Sequence, residues 1–245
     1  MRTIRIHVEQ TLVPGHTVTL PAQAGEHVAR VLRLGVGQPL VLFNGDGHDY
    51  AATIVAVDKR QVSVSVGDRW AVQAESSLPL VLAQGLARGE KMDLIVQKAT
   101  ELGVQAIVPL LTERSEVKLD PSRAAKRLEH WQAVIASACE QSGRACLPTL
   151  CGPLPLARWL ESLDPQSAAL RLALLPGGSQ RAGELAPTAA GAILVVGPEG
   201  GLGERDVALL EKHGFAGLRL GPRILRTETA GLAALAALQA LHGDL

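Results

Sequence analysis

Leu220-Gly221-Pro222-Arg223-Ile224-Leu225-Arg226-Thr227-Glu228-Thr229-Ala230 joins a short apolar strand to the last helix of this 245-residue chain, and its reading decides the fold. Glycine lets backbone approach backbone or ligand closely, and proline fixes φ, so a loop with both is built for one shape. Apolar Ile224 and Leu225 stand in it beside the charged Arg226 and Glu228. A loop of the same make, Gly197-Pro198-Glu199-Gly200-Gly201-Leu202-Gly203, follows the apolar strand Ile193 to Val196. Together they suit a flat, mostly apolar ligand held beside a polar reacting group. Neither loop ends in Gly-Lys-Ser/Thr, and no Gly-x-Gly-x-x-Gly follows a strand, so phosphate loops and nicotinamide-dependent dehydrogenases are disfavoured.

Outward from these loops the pattern is alternating strand and helix. Leu78 to Ala83 reads as a strand, and Met92, Ile95, Val96, Ala99 and Leu102 share one helical face that stops at Gly103. Val104 to Leu111 is the next strand. Asp120-Pro121 caps and starts a long helix with Leu128, Trp131, Ile135 and Ala138 turned inward. A short helix near Leu156 to Leu163, strands at Leu170 to Leu175 and Ala192 to Val196, a helix at Glu204 to Lys212 and a strand at Gly217 to Leu220 follow. Repeated β-α units predict an α/β fold with a parallel sheet covered on both faces. The last helix carries Leu232, Leu235, Leu238 and Leu241 on one stripe among alanines, which predicts burial on most sides, in the core or at a subunit interface.

The first seventy residues read differently. Leu40 to Phe43 and Ala51 to Val57 flank the turn signal Asn44-Gly45-Asp46-Gly47, and Val62, Val64 and Val66 alternate with polar residues. A short helix around Glu26 to Leu34 interrupts the strands. A small β-barrel over residues 1–72 is expected, then a linker, then the α/β domain over 78–245.

Formal net charge is zero, so any nucleic-acid partner must be met by a local basic face. Aromatic residues are 2% of the chain, which excludes a sheet that stacks bases on Phe or Tyr. Cys139, Cys146 and Cys151 have no metal-site spacing and read as free thiols in a reducing compartment, with no metal expected. The longest apolar stretch is too short to span a bilayer and the start lacks the apolar core of a signal peptide, so a cytoplasmic location is expected.

The two loops resemble those of the knotted α/β (SPOUT) methyltransferases that use S-adenosylmethionine, and most of all the bacterial family that methylates uridine N3 in 16S ribosomal RNA. Arg88-Gly89-Glu90-Lys91-Met92, Glu101-Leu102-Gly103-Val104, Glu113-Arg114-Ser115 and Ala138-Cys139-Glu140-Gln141-Ser142-Gly143-Arg144 carry the same resemblance, in order along nearly the whole chain. It implies a trefoil-knotted carboxyl-terminal domain, an amino-terminal PUA-like RNA-binding barrel, a homodimer with its cofactor site near the interface, and the small ribosomal subunit as partner. It assigns S-adenosylmethionine to Leu175, Gly197, Glu199, Gly200, Leu220, Gly221, Ile224, Leu225 and Thr227. Pro176-Gly177-Gly178-Ser179 departs from the polar or histidine-bearing loop expected after the Leu172 to Leu175 strand.

Uridine N3 is protonated at neutral pH and lies on the pairing edge, so its chemistry needs an unpaired or flipped base and a proton acceptor. Glu228 is the candidate acceptor and Arg226 the candidate to stabilise charge on the uracil oxygens. From sequence alone the balance for Glu228 tips slightly toward capping the last helix, whereas Arg226 gains nothing from the dipole there. Arg2, Arg5, Arg30, Arg33, Arg88, Lys91, Arg114, Lys118 and Arg144 are the candidates to face RNA, each also readable as an ordinary surface charge. Alternatives are a ribose 2′-O or transfer-RNA base methyltransferase of the same fold, or a non-catalytic ribosome-assembly protein.

Overall fold

The computed structural model describes residues 4–58, 61–116 and 120–245. Among the described residues, thirteen strands and six α-helices follow one another: β1 Arg5–His7, β2 Thr17–Thr19, α1 Ala22–Glu26, β3 Pro39–Phe43, β4 His48–Asp58, β5 Gln61–Ala71, β6 Leu80–Gly85, α2 Lys91–Glu101 and β7 Ala106–Leu111. Then come α3 Pro121–Ser142, β8 Thr149–Leu150, β9 Leu154–Pro155, α4 Leu156–Glu161, β10 Leu170–Leu174, β11 Gln180–Arg181, β12 Ala192–Val196, α5 Glu204–Lys212, β13 Ala216–Arg219 and α6 Thr227–His242. The chain forms two compact units, Met1–Glu75 with Ala136–Leu147, and Ser76–Ile135 with Pro148–Leu245.

The first unit is a five-stranded sheet in the order β1-β3-β4-β5-β2. The period of two expected over β5 holds: Val62, Val64 and Val66 are buried, and they join Leu42, Tyr50 and Ile54 in one apolar cluster. Register shifts between Tyr50 and Ala52 and between Ile54 and Ala56 bend the β4–β5 pair. The helix expected over Glu26 to Leu34 differs. α1 starts at Ala22, after Pro21 as its N-cap, and runs on as a π-helical turn over His27–Val31, and Arg33 then takes φ 54°, outside any helix. Arg30 and Arg33 therefore do not share a helical face.

Residues 136–147 belong with this unit, which a division near residue 75 does not anticipate. The reason is a buried polar bracket. Arg5 Nε and Nη2 donate to the two Asp49 carboxylate oxygens at 3.0 and 2.6 Å, while Nη1 and Nη2 donate to the Cys139 and Arg144 carbonyls at 2.7 and 3.0 Å. The Phe43 ring lies 4.4 Å below the same guanidinium. Arg144 in turn pairs with Glu75 at 2.6 Å, and Glu140 accepts the His7 amide at 2.9 Å. Burial pushes the Glu140 carboxyl above its ordinary value, outweighing that amide, and pushes the Cys139 thiol up to about 12, so this cysteine is unreactive.

Removing one partner of such a pair leaves the other buried and unmatched. The Arg5 and Asp49 side chains are 8% and 10% exposed, so Arg5→Met should lower the unfolding free energy by about 3–5 kcal/mol. Arg5→Met with Asp49→Leu should recover most of it. Urea unfolding of the two variants checks this; a cost under about 1 kcal/mol for the single change would mean that water relieves Asp49.

The second unit holds an eight-stranded, all-parallel sheet in the order β11-β13-β10-β12-β6-β7-β8, with β9 also on β7. Its central strands are continuous apolar runs, as parallel strands covered on both faces must be: all of β12 is buried, and so is β6 apart from Val81. α2 buries Met92, Ile95, Val96, Ala99 and Thr100 and ends before Gly103 at φ 78°. Asp120 caps α3 by accepting the Arg123 amide at 3.0 Å. α6 packs on α2, β12 and β6 through Gly231, Ala234, Leu235, Leu238 and Gln239. The expected leucine stripe is thus split, since Leu232 is half-buried and Leu241 is 51% exposed.

Candidate functional site

The carboxyl ends of neighbouring parallel strands in an open sheet are where ligands settle. Here residues 175–179 follow β10, residues 197–203 follow β12 and residues 220–226 follow β13, and all three loops meet at one end of the sheet. Gly178 and Gly217 let the first loop lie on β13: a Cβ on Gly178 would stand 2.6 Å from the Gly217 carbonyl carbon and oxygen. Leu175 is held by its amide on the Leu218 carbonyl at 3.0 Å. Gly221 turns the third loop at φ 77° in open space, a conformation that a side chain would strain.

The second loop is fastened from several sides. Glu199 Oε1 accepts the Lys91 ammonium at 3.0 Å and the Arg88 amide at 3.1 Å. Burial alone would raise the Glu199 carboxyl, but these two donors outweigh it and hold it below the usual carboxylate value. Arg114 donates to the Gly200 carbonyl at 2.9 Å, and Asp206 of α5 accepts the amides of Gly203 and Glu113. Glu113 accepts the Arg205 amide at 3.1 Å. The Arg88-to-Met92 and Glu113-to-Ser115 segments, far apart in sequence, are therefore the clamps of the glycine loop.

α6 brings the charged pair to the same place. Arg226 is exposed at its N-cap, and its carbonyl accepts the Thr229 and Ala230 amides. Glu228 stands in the first turn with 15% of its side chain exposed, 3.9 Å from Lys91 Nζ, and its Oε2 is buried without a hydrogen-bond partner. A buried acceptor with no donor is a place for a ligand's N–H. Leu175, Leu220 and Leu225 are half-buried and Ile224 is 84% exposed, so apolar surface is on offer beside it.

The remaining candidates are dispersed. Lys91, Arg88 and Arg114 stand at the site, already bound to the loop, and Arg88 also pairs with Glu116. Arg30 is exposed and paired with Glu26, and Arg33 is exposed. Arg5 and Arg144 have a different post from the RNA-facing one expected: their guanidinium groups are buried in the bracket, because each has a carboxylate to satisfy. Arg2 and Lys118 lie outside the described residues. No group of three His, Cys, Asp or Glu among the described residues could hold a metal.

Sequence reading missed Gln84, which is fully buried at the end of β6. Its Nε2 donates to Thr227 Oγ1 at 2.9 Å and to the Gly85 carbonyl at 2.9 Å, and the Thr227 hydroxyl donates on to the Gly197 carbonyl at 2.6 Å. The signal was present, as the one polar residue in the strand Leu80-Val81-Leu82-Ala83-Gln84-Gly85. Thr227, expected against the cofactor, has its hydroxyl engaged in this chain.

Residues 74–239 match the family described as RNA methyltransferase domain, and residues 20–67 match the RNA methyltransferase PUA domain. The ribosomal RNA small subunit methyltransferase E of Bacillus subtilis is 31% identical over 249 residues, covering 96% of each chain. That of Synechocystis is 36% identical over 231 residues, covering 92% of this chain and 73% of its own. A methyltransferase of Legionella pneumophila, solved with its bound cofactor SAM, is 42% identical with a TM-score of 0.95 over 100% of both chains. The Neisseria gonorrhoeae ribosomal RNA small subunit methyltransferase E, solved with S-adenosyl methionine, is 36% identical with a TM-score of 0.94 over 99% of both.

Proposed function

We propose, from the premise that this chain belongs to the ribosomal RNA small subunit methyltransferase E family, that it methylates N3 of a specific uridine in 16S ribosomal RNA. It is an S-adenosylmethionine-dependent RNA methyltransferase with the SPOUT α/β fold and an amino-terminal PUA-like domain. The observation that carries the finer reading is the buried Glu228 Oε2, which accepts no hydrogen bond and has only Lys91 at 3.9 Å, two residues after the exposed Arg226 at the meeting point of the three loops.

The residues fit the cofactor. Leu175, Leu220, Ile224 and Leu225 supply apolar faces for a flat ring, Gly221 keeps its backbone in open space, Gly197 and Gly200 let the second loop fold tightly on itself and on Arg114, and Glu199 adds an ionised carboxylate. When bound, S-adenosylmethionine provides an electrophilic methyl on a sulfonium. Glu228 accepts the N3 proton of a flipped-out uracil, and Arg226 donates to the uracil oxygens on which charge gathers as that proton leaves. Lys91, held at 3.0 Å by Glu199, stays 3.9 Å from Glu228, which leaves the Glu228 oxygen open to its substrate. Trefoil threading of residues 220–226, which run from β13 to a helix on β12 and β6, is the part of this reading that rests on the resemblance. The exposed Ile224 and Leu241 support a homodimer that covers them. The enzyme works in the cytoplasm, where its ribosomal partner is found.

Ribosomal RNA from a strain lacking the protein, incubated with the protein and S-adenosylmethionine and digested to nucleosides, should yield 3-methyluridine. A ribose-methylated nucleoside would replace this reading with the 2′-O alternative, and no methylated product would favour an assembly role. Affinity for that RNA should fall with salt at a log-log slope of about 0.7–0.9 per neutralised phosphate; a flat response in a filter-binding series would remove Arg30, Arg33 and Arg88 from the RNA face.

A further inference from the structure

We propose that Gln84 is a positioning residue that sets the shape of the cofactor slot by locking the β12 loop to the start of α6. The inference rests on the methyltransferase reading of the slot and deepens it. The amide can be placed in only one way. Two of the atoms within reach of its nitrogen are carbonyl oxygens, Gly85 at 2.9 Å and Gly197 at 3.4 Å, which can only accept. Turning the amide over would set its oxygen against both, so the NH2 must face them and Thr227. Thr227 then accepts from Gln84 and must donate its own proton to Gly197, at 2.6 Å. The result is a directional chain, Gln84 N–H to Thr227 O–H to Gly197 C=O, that joins the ends of β6 and β12 to the first residue of α6.

The location gives this chain its reach. Gly197 opens the second loop, and Thr227 closes the third and begins the helix that carries Glu228. Both loops are thus fixed by one side chain that is fully closed to solvent. Gln84 Oε1 has no partner and faces Gly231, where a Cβ would come within 3.4 Å of it. An amide oxygen left bare inside a protein is unfavourable, so an apolar residue would be the better choice here for stability alone. The amide is retained for its two N–H groups.

The first test is calorimetry of S-adenosylmethionine binding to Gln84→Met, which keeps the length of the side chain and removes both donors. Binding should weaken roughly 10- to 100-fold, the effect of leaving Thr227 Oγ1 and the Gly85 carbonyl without the Gln84 donor. The second variant, Gln84→Glu, has a signature that packing alone does not give. As a neutral acid it donates one O–H to the chain; as a carboxylate it opposes two carbonyls. Its cofactor affinity should therefore rise as pH falls, and the wild-type curve over the same range subtracts whatever the charged groups on the surrounding elements, Glu199, Glu228, Lys91 and Arg226, contribute.

A third measurement is the cycle of Gln84→Met and Thr227→Val, whose losses should overlap, the double variant binding about as weakly as the worse single one. Wild-type affinity in Gln84→Met, a pH-independent Gln84→Glu, or additive losses in the cycle would each overturn the role. Failure of both Gln84 variants to fold would do so too, by making the amide a requirement of the core. If the wild-type protein bound no S-adenosylmethionine, the slot itself would be misread, a result distinct from all of these.

Discussion

Arg226→Ala should cut methyl transfer by about 10²- to 10³-fold while leaving S-adenosylmethionine affinity nearly unchanged. The split follows from where the residue stands. Its side chain is exposed and makes no capping hydrogen bond, so the helix does not depend on it. Its carbonyl, which alanine keeps, receives the Thr229 and Ala230 amides. What alanine lacks is the cation two residues before Glu228 at the start of α6, available where negative charge would gather on a uracil losing its N3 proton. Single-turnover rates with saturating cofactor, alongside calorimetry, separate the two quantities. A near-normal rate would take Arg226 out of the chemistry; a parallel loss of cofactor affinity would make it a binding residue instead.

Gly178→Ala should have an effect of the opposite kind, on binding and stability first. The added methyl would sit 2.6 Å from the Gly217 carbonyl group and 2.8 Å from the Leu218 carbonyl carbon, and backbone cannot swing aside as a side chain can. The 175–179 loop would have to lift from β13, at about 1–3 kcal/mol for the overpacking. Leu175, which we place against the cofactor, would move with it, so cofactor affinity should fall more than tenfold. Gly217→Ala should be milder, since its nearest contacts are the Gly178 Cα at 3.0 Å and the flexible end of Leu175 at 3.4 Å. Melting temperature and cofactor titration of the two variants give the order, and equal behaviour would show that the loops are not pressed together.

Much of this was readable from residues alone, and the boundary has physical causes. β5, β12, α2 and α5 announce themselves because their burial repeats every two residues, runs unbroken, or recurs at helical spacing. β2, β8, β9 and β11 are two or three residues long, too short for any period, and exist because a neighbouring strand offers its edge. The helix near Glu26 was visible as apolar spacing, but its π turn and the left-handed Arg33 were not. At the site, the glycine loops and the Arg226–Glu228 pair were legible as composition. The clamps on them were not: Lys91 to Glu199, Arg114 to Gly200 and Gln84 to Thr227 span 108, 86 and 143 positions. Charge suggested that Arg5 and Arg144 face RNA, because nothing local reveals Asp49 or Glu75 as partners.

That last pairing limits how the protein can be taken apart. A cloning boundary drawn after Glu75, where the amino-terminal sheet finishes, would sever Arg5 from the two main-chain oxygens at Cys139 and Arg144, and Glu75 from its arginine. The excised piece would carry Glu75 without its ion-pair mate and Arg5 with Asp49 as its remaining acceptor. The amino-terminal region is therefore not a portable cassette, and evolution could not have traded it for another without rewriting a dodecapeptide encoded far downstream.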